Sequence, residues 1–160
     1  MISLVPMTEE NFQHYCQSAI NDYAEEHIRG GRWSREEAYS QAQHEYQQLL
    51  PNGVATANHY LYTLQEQHTG TAVGMIWFAV RDQANQKIAF IYDVMIEPAF
   101  RRKGYATQAF QAIEAQAHTL GLSAIQLHVF GHNHEAFALY EKLGFIPTNI
   151  MMTKQLDSVP

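Results

Sequence analysis

Residues 97–110 read EPAFRRKGYATQAF, and this stretch decides how the rest of the chain is understood. Three of the ten Lys and Arg residues stand together at 101–103, in a chain whose formal net charge is −6. The apolar run AFIYDVMI (89–96) precedes the stretch. After it, Ala106, Phe110, Ile113, Ala117 and Leu120 recur at helical spacing. The pattern predicts a buried strand turning sharply into a helix. The first N–H groups of such a helix lack internal partners and carry partial positive charge, so they attract anions and phosphates especially. Gly104 lets the backbone turn tightly, and Ala106 keeps the next position small. A solvated basic helix start, a nucleic-acid patch and a diphosphate cradle all fit these residues taken alone.

Outward from this turn, the chain alternates strand and helix patterns. ISLVP (2–6) reads as a short strand, and Thr8 is placed to cap a helix whose apolar stripe is Phe12, Tyr15, Cys16, Ala19, Ile20 and Tyr23. Gly30-Gly31 ends that helix. Ser34 to Glu37 has capping-box form and opens a second helix with Ala38, Ala42, Tyr46 and Leu49 on its apolar face, stopped by Pro51-Asn52-Gly53. HYLYTLQE (59–66), TAVGMIWFAV (71–80) and KIAFIYDVMI (87–96) follow as strands, with a polar turn at 82–86. Gly121 closes the next helix, SAIQLHVF (123–130) is a strand, Asn133 caps a last helix, and FIPTNIMMTKQL (145–156) finishes as one or two strands. Interspersed helices and strands without a linker or repeat predict one α/β (α+β) domain over 1–160.

Composition narrows the function classes. The chain is 46% apolar and 16% charged, as in a globular protein. It has no run of about 18 apolar residues and no secretory start, so no membrane association is expected. A single cysteine, Cys16, gives no internal disulfide and suits a reducing cytoplasm. The acidic balance argues against broad nucleic-acid binding, so no nucleic-acid partner is expected and the basic cluster needs a local reason. The patterns of a P-loop and of a dinucleotide-binding turn are both absent.

Ile96-x-Pro98-x-x-Arg101-x-x-Gly104-x-Ala106 resembles the acetyl-CoA-binding motif of the GNAT superfamily of N-acetyltransferases. A second block, LHVFGHNHEAFALYEKLGF (127–145), resembles that family's strand, Asn-capped helix and Leu-Tyr-Glu-Lys-Leu-Gly-Phe ending. The predicted element order matches the family across nearly the whole chain. The resemblance implies a mixed, mostly antiparallel sheet of six to seven strands with about four helices, splayed at its two central strands. It implies acetyl-CoA as co-substrate and transfer of an acetyl group to a primary amine of a small molecule, peptide or protein. It further implies that Val94, Met95 and Ile96 lend their backbone to the pantetheine arm. The amides of Arg102, Lys103, Gly104, Tyr105, Ala106 and Thr107 would hold the diphosphate, with Arg101 at the start of the loop. Asn133 would contact the CoA arm, and Tyr140 would stand near its sulfur.

A tyrosine suits that last place because thioester cleavage expels a thiolate, to which a phenol can donate a proton. For the base, the family often has glutamate where this chain has His128, and a histidine can take a proton near neutral pH. Asp93 is the other candidate, and it can equally accept hydrogen bonds from a loop or helix end. Direct transfer is expected, because Cys16 lies in an apolar stripe and reads as core. His128, His132 and His134 form the densest histidine cluster, but zinc needs three or four converging ligands, so no metal is expected. The acceptor is expected among Tyr23, Glu26, His27, Arg29, Trp33, Tyr60, Tyr62, Trp77 and Phe78. The resemblance also implies a possible homodimer through the terminal strands. The competing class is a CoA-binding sensor with little catalysis.

Overall fold

A computed structural model describes residues 1–157. Five strands form one sheet in the order β1-β2-β3-β4-β5: β1 (Ile2–Pro6), β2 (His59–Glu66), β3 (Ala72–Gln83), β4 (Gln86–Ile96) and β5 (Ile125–Leu127). The first four pair antiparallel, and β5 joins β4 in parallel. The helices are α1 (Glu9–Arg29), α2 (Arg35–Leu49), α3 (Tyr105–Thr119) and α4 (His134–Lys142). Their starts follow the sequence closely. Thr8 Oγ1 accepts from the Asn11 N–H at 3.1 Å, Glu37 reaches back to the Ser34 N–H at 3.4 Å, and Asn133 Oδ1 accepts from the Ala136 N–H at 3.2 Å.

The alternation of β3 assigns the two layers. Met75 and Trp77 face α1 and α2, where Phe12, Tyr15, Ala19 and Tyr46 meet them. Ile76 and Phe78 face the other way, under Ala109, Phe110, Ile113 and Ala117 of α3. Tyr140 of α4 and Leu143, its C-cap, pack on that second side too. With helices on both faces, β3 is buried from Val73 to Ala79, as its apolar run implies.

Three sequence expectations change. The sheet has five strands among the described residues rather than six to seven: residues 145–157 form no strand, and Ile146, Ile150, Met151, Met152 and Leu156 stand exposed. A strand needs a neighbouring backbone ladder, and the regular part of β5 is three residues long, a short rail for another strand. Pro147 also removes a donor from the segment. For the same reason SAIQLHVF is a strand only at 125–127, and His128 is the first residue past it rather than a strand residue. The polar turn of 82–86 tightens to Ala84-Asn85, both at positive φ (49° and 65°), so β3 and β4 run on to Gln83 and Gln86.

Candidate functional site

Residues 97–107 make the turn from β4 into α3 that the sequence predicts. Pro98–Phe100 is a single 3₁₀ turn, residues 101–104 are exposed loop, and α3 begins at Tyr105. The first helical bond runs from the Gln108 N–H to the Gly104 carbonyl at 3.1 Å, which leaves the Tyr105, Ala106 and Thr107 amides without helical acceptors. Gly104 is the N-cap at φ 80°, and Arg102 also sits at positive φ (61°). Left-handed residues within a short loop turn successive N–H groups toward one side, the geometry of an anion-binding nest. Added bulk at Gly104 would meet no atom within 4 Å, so conformation rather than space demands glycine there. The Arg101 Nε donates to the Ile96 carbonyl at 2.9 Å and ties the loop back to the end of β4. Arg102 and Lys103 point to solvent, Arg102 only 3.9 Å from Glu135 in a fully exposed pair.

The second element of the site is a split in the sheet. Pairing between β4 and β5 covers Ala89, Phe90 and Ile91 and stops at Ile91↔Leu127. Val94, Met95 and Ile96 remain paired to β3 at Ile76, Met75 and Gly74, but their β5-facing edge has no strand partner among the described residues. A free backbone edge of this kind offers donors and acceptors to an extended ligand with amide groups. A β-bulge accompanies it: Trp77 opposes Asp93 and Phe78 opposes Ile91, so Tyr92 is the extra residue.

Asp93 and Tyr140 lie on opposite faces of the sheet. Asp93 belongs to the α1/α2 side, where Tyr15 donates to its Oδ2 at 2.6 Å. Burial pushes the Asp93 carboxyl above the ordinary range, with the Tyr15 hydroxyl and the Val94 amide acting against that rise and the charge of Asp22 with it. The residue is nonetheless half-buried rather than sealed. Tyr140 belongs to the α3/α4 side, edge-on to Phe110 (5.7 Å) and Phe145 (5.9 Å). Burial raises its phenol, and the Asp93 charge adds to the rise. Asn133, at the head of α4, uses its side-chain oxygen in the helix cap.

His128 is exposed at the far end of β5, its ring edge-on to Phe130 at 4.8 Å. That loop docks on the end of α1: Phe130 meets the buried His27 at 5.0 Å, and His132 Nε2 lies 2.9 Å from Glu26 Oε2. His132 is thus engaged with a carboxylate rather than merely a loop residue. Tyr23, His27 and Trp33 cluster beside it, and the Tyr23 hydroxyl donates to Glu45 at 2.6 Å. Of the aromatics expected around an acceptor, Tyr60, Tyr62 and Phe78 stack on the α3 side instead. The two-residue period of β2 and β3 sends them to the face opposite Trp77. Cys16 is half-buried in the α1 core; burial and the nearby Glu9 push its thiol to about 11, so it is held as a thiol at neutral pH.

Two residues of the site were not singled out by the sequence. Tyr15 sits in the apolar stripe of α1 and reads as core, with nothing local to show that its hydroxyl meets Asp93. Gly74 lies in an apolar strand, and only the closeness of β4 shows why it carries no side chain.

A family model described as the Acetyltransferase (GNAT) family matches residues 16–145. The chain is 37% identical over 154 residues to the uncharacterized N-acetyltransferase YdgE of Bacillus subtilis (strain 168), an overlap of 96% of this chain and 98% of that protein. It is 37% identical over 155 residues to the uncharacterized N-acetyltransferase YycN of the same organism, covering 97% and 99%. The crystal structure of YycN superposes with a TM-score of 0.93 over 99% of this chain and 100% of that one. The structure of AAC(6')-Iy in complex with the bisubstrate analog CoA-S-monomethyl-acetylneamine shares the fold at a TM-score of 0.61 and 14% identity, covering 99% of each chain. With this match along most of its length, the chain belongs to the GNAT family of acetyltransferases.

Proposed function

We propose that this chain, working as one domain, moves an acetyl group from acetyl-CoA to a primary amine of a small molecule, peptide or protein by direct transfer. The observation that carries the reading is the split between β4 and β5: pairing ends at Ile91↔Leu127, Asp93 lies just beyond it on the α1/α2 side, and Tyr140 on the α3/α4 side is near enough to feel the Asp93 charge. In this reading the amides of 102–107 hold the diphosphate, Arg101 braces the loop, Val94–Ile96 align the pantetheine arm, and Asn133 contacts it. The amine nitrogen forms the new bond to the thioester carbonyl carbon as the C–S bond breaks. The amine proton leaves to Asp93, and the departing sulfur receives a proton from Tyr140.

Between the two candidate bases, Asp93 is favoured by its place beside the split and His128 by its exposed ring at the end of β5. A carboxyl raised by burial is a better proton acceptor than an ordinary one, which supports Asp93. The α1/α2 side, with Tyr23, Glu26, His27 and Trp33, is the acceptor side of this proposal, and the carboxylates of Asp22 and Glu26 suit a cationic amine.

A cytoplasmic setting belongs to the proposal, supported by the single cysteine; no helix among the described residues is long and apolar enough to cross a membrane. So does a homodimer built on the apolar segment 146–156, which light scattering would test. The experiment that tests the activity follows thiol release from acetyl-CoA against a panel of amines. Turnover that falls at least tenfold in Asp93→Asn, with acetyl-CoA binding retained, is the expected result. Tight CoA binding with no turnover on any amine would replace the enzyme with a CoA-binding module.

A further inference from the structure

Asp93 is held from behind by one phenol, which is itself backed by a second. The Tyr15 hydroxyl, on α1, donates to Asp93 Oδ2 at 2.6 Å. The same hydroxyl lies 3.4 Å from the Tyr46 hydroxyl on α2. Because Tyr15 commits its proton to the carboxylate, Tyr46 is the donor in the second contact. Both tyrosines are more than nine-tenths buried. Tyr46 is fixed in turn by edge-on contacts with Tyr23 and Trp77, each at 5.5 Å, and Trp77 is the residue opposite Asp93 on β3. Apolar side chains would fill these helix stripes equally well, so packing alone does not account for two hydroxyls aimed along one line at a carboxylate.

We propose, resting on Asp93 as the proton acceptor, that Tyr15 and Tyr46 are positioning residues for the transfer: Tyr15 holds and orients the Asp93 carboxylate, and Tyr46 holds Tyr15. The bulge at Tyr92 turns Asp93 toward α1, where Tyr15 holds it and Tyr46 of α2 backs Tyr15. The arrangement also sets the proton balance. Burial pushes both phenols well above their ordinary range, so each stays protonated and serves only as a donor in this line. Tyr15 therefore stabilises the ionised carboxylate, the form that accepts the amine proton, against the burial that disfavours it. The other groups whose charge bears on Asp93 or on this line are Asp22 and Cys16 of α1, Tyr23 of the same helix, and Tyr140 of α4.

The test compares pH profiles of kcat/KM for wild type, Tyr15→Phe, Tyr46→Phe and Asp93→Asn, with acetyl-CoA and the best amine of the panel. The ionisation of the amine is common to all four, so differences between them report the enzyme. Loss of the Tyr15 donor should move the acid limb to higher pH by about one unit, the size expected for a hydrogen bond to a charged group. Tyr46→Phe should move it the same way by less, and it keeps the proposal testable if Tyr15→Phe does not fold. The KM for acetyl-CoA should stay within twofold in both. An acid limb that stays in place in every folded Phe variant, with only thermal stability lowered, overturns the positioning role. An acid limb that, once the amine's own ionisation is divided out, survives in Asp93→Asn instead removes Asp93 as the base, a separate and recognisable failure.

Discussion

Gly74 and Met95 are in backbone contact across β3 and β4: a Cβ placed on Gly74 would lie 2.1 Å from the Met95 carbonyl oxygen. No relaxed structure holds a carbon so near a backbone oxygen, so any side chain at 74 pushes the strands apart. The displaced backbone is that of Val94–Ile96, the free edge at the split.

Gly74→Ala is therefore expected to act on stability and ligand binding together. Overpacking of this kind costs roughly 1–3 kcal/mol. Thermal melts should show the loss, and titration with CoA should show binding weakened beyond what partial unfolding explains. Unaltered CoA affinity in a folded Gly74→Ala protein would mean that the edge of β4 plays no part in binding.

Gly104→Val and Lys103→Ala separate backbone from charge in the basic loop. Valine resists the φ of 80° at position 104, whereas Lys103 is an exposed side chain over the Phe100 ring at 5.7 Å. Calorimetric titration with CoA should show a tenfold or larger loss for the glycine change and a loss of only a few-fold for the lysine change. The reverse ranking would return the loop to a simple basic patch.

Tyr140→Phe keeps the ring that packs against Phe110 and Phe145 and removes the hydroxyl alone. With Tyr140 as the proton donor, kcat should drop by about 10²- to 10⁴-fold while CoA still binds. Full turnover with a good amine would take Tyr140 out of the chemistry and leave it a packing residue.

Asp93 gives a pH signature in stability as well. Its folded-state carboxyl is raised above its ordinary value, so its protonated form favours folding. That contribution is full below the ordinary carboxyl range and is lost as pH climbs through the raised value. Asp93→Asn should thus melt no lower than wild type at pH 7, and the difference between the two should shrink or reverse in acid. A lower melting temperature at pH 7 for Asn would show that the ionised side chain stabilises the fold.

The sequence carried much of this. Helix starts were legible because capping is local: Thr8, Ser34 and Asn133 each act on amides within three residues. The turn from β4 into α3 was legible for the same reason, since Gly104 and the run before it lie on one turn. The misses are all non-local. The end of the sheet was misjudged because residues 145–156 have strand composition but gain no ladder from the short β5. That Tyr60 and Tyr62 lie on the α3 side, opposite Trp77, was not legible either, because aromatic content does not reveal which face of a strand is which. Tyr15 and Tyr46 read as core from their apolar stripes and are core, but the hydrogen bond from Tyr15 to Asp93 spans 78 residues and has no local signal.

The layering has an optical consequence. The chain has two tryptophans, Trp33 and Trp77, and both lie on the α1/α2 side of the sheet. Trp77 stacks on Tyr92 at 4.5 Å, directly beside Asp93, while the α3/α4 side holds no indole. The intrinsic fluorescence of the protein is thus one-sided, an unlabelled reporter of events on the face where Tyr15 and Tyr46 stand.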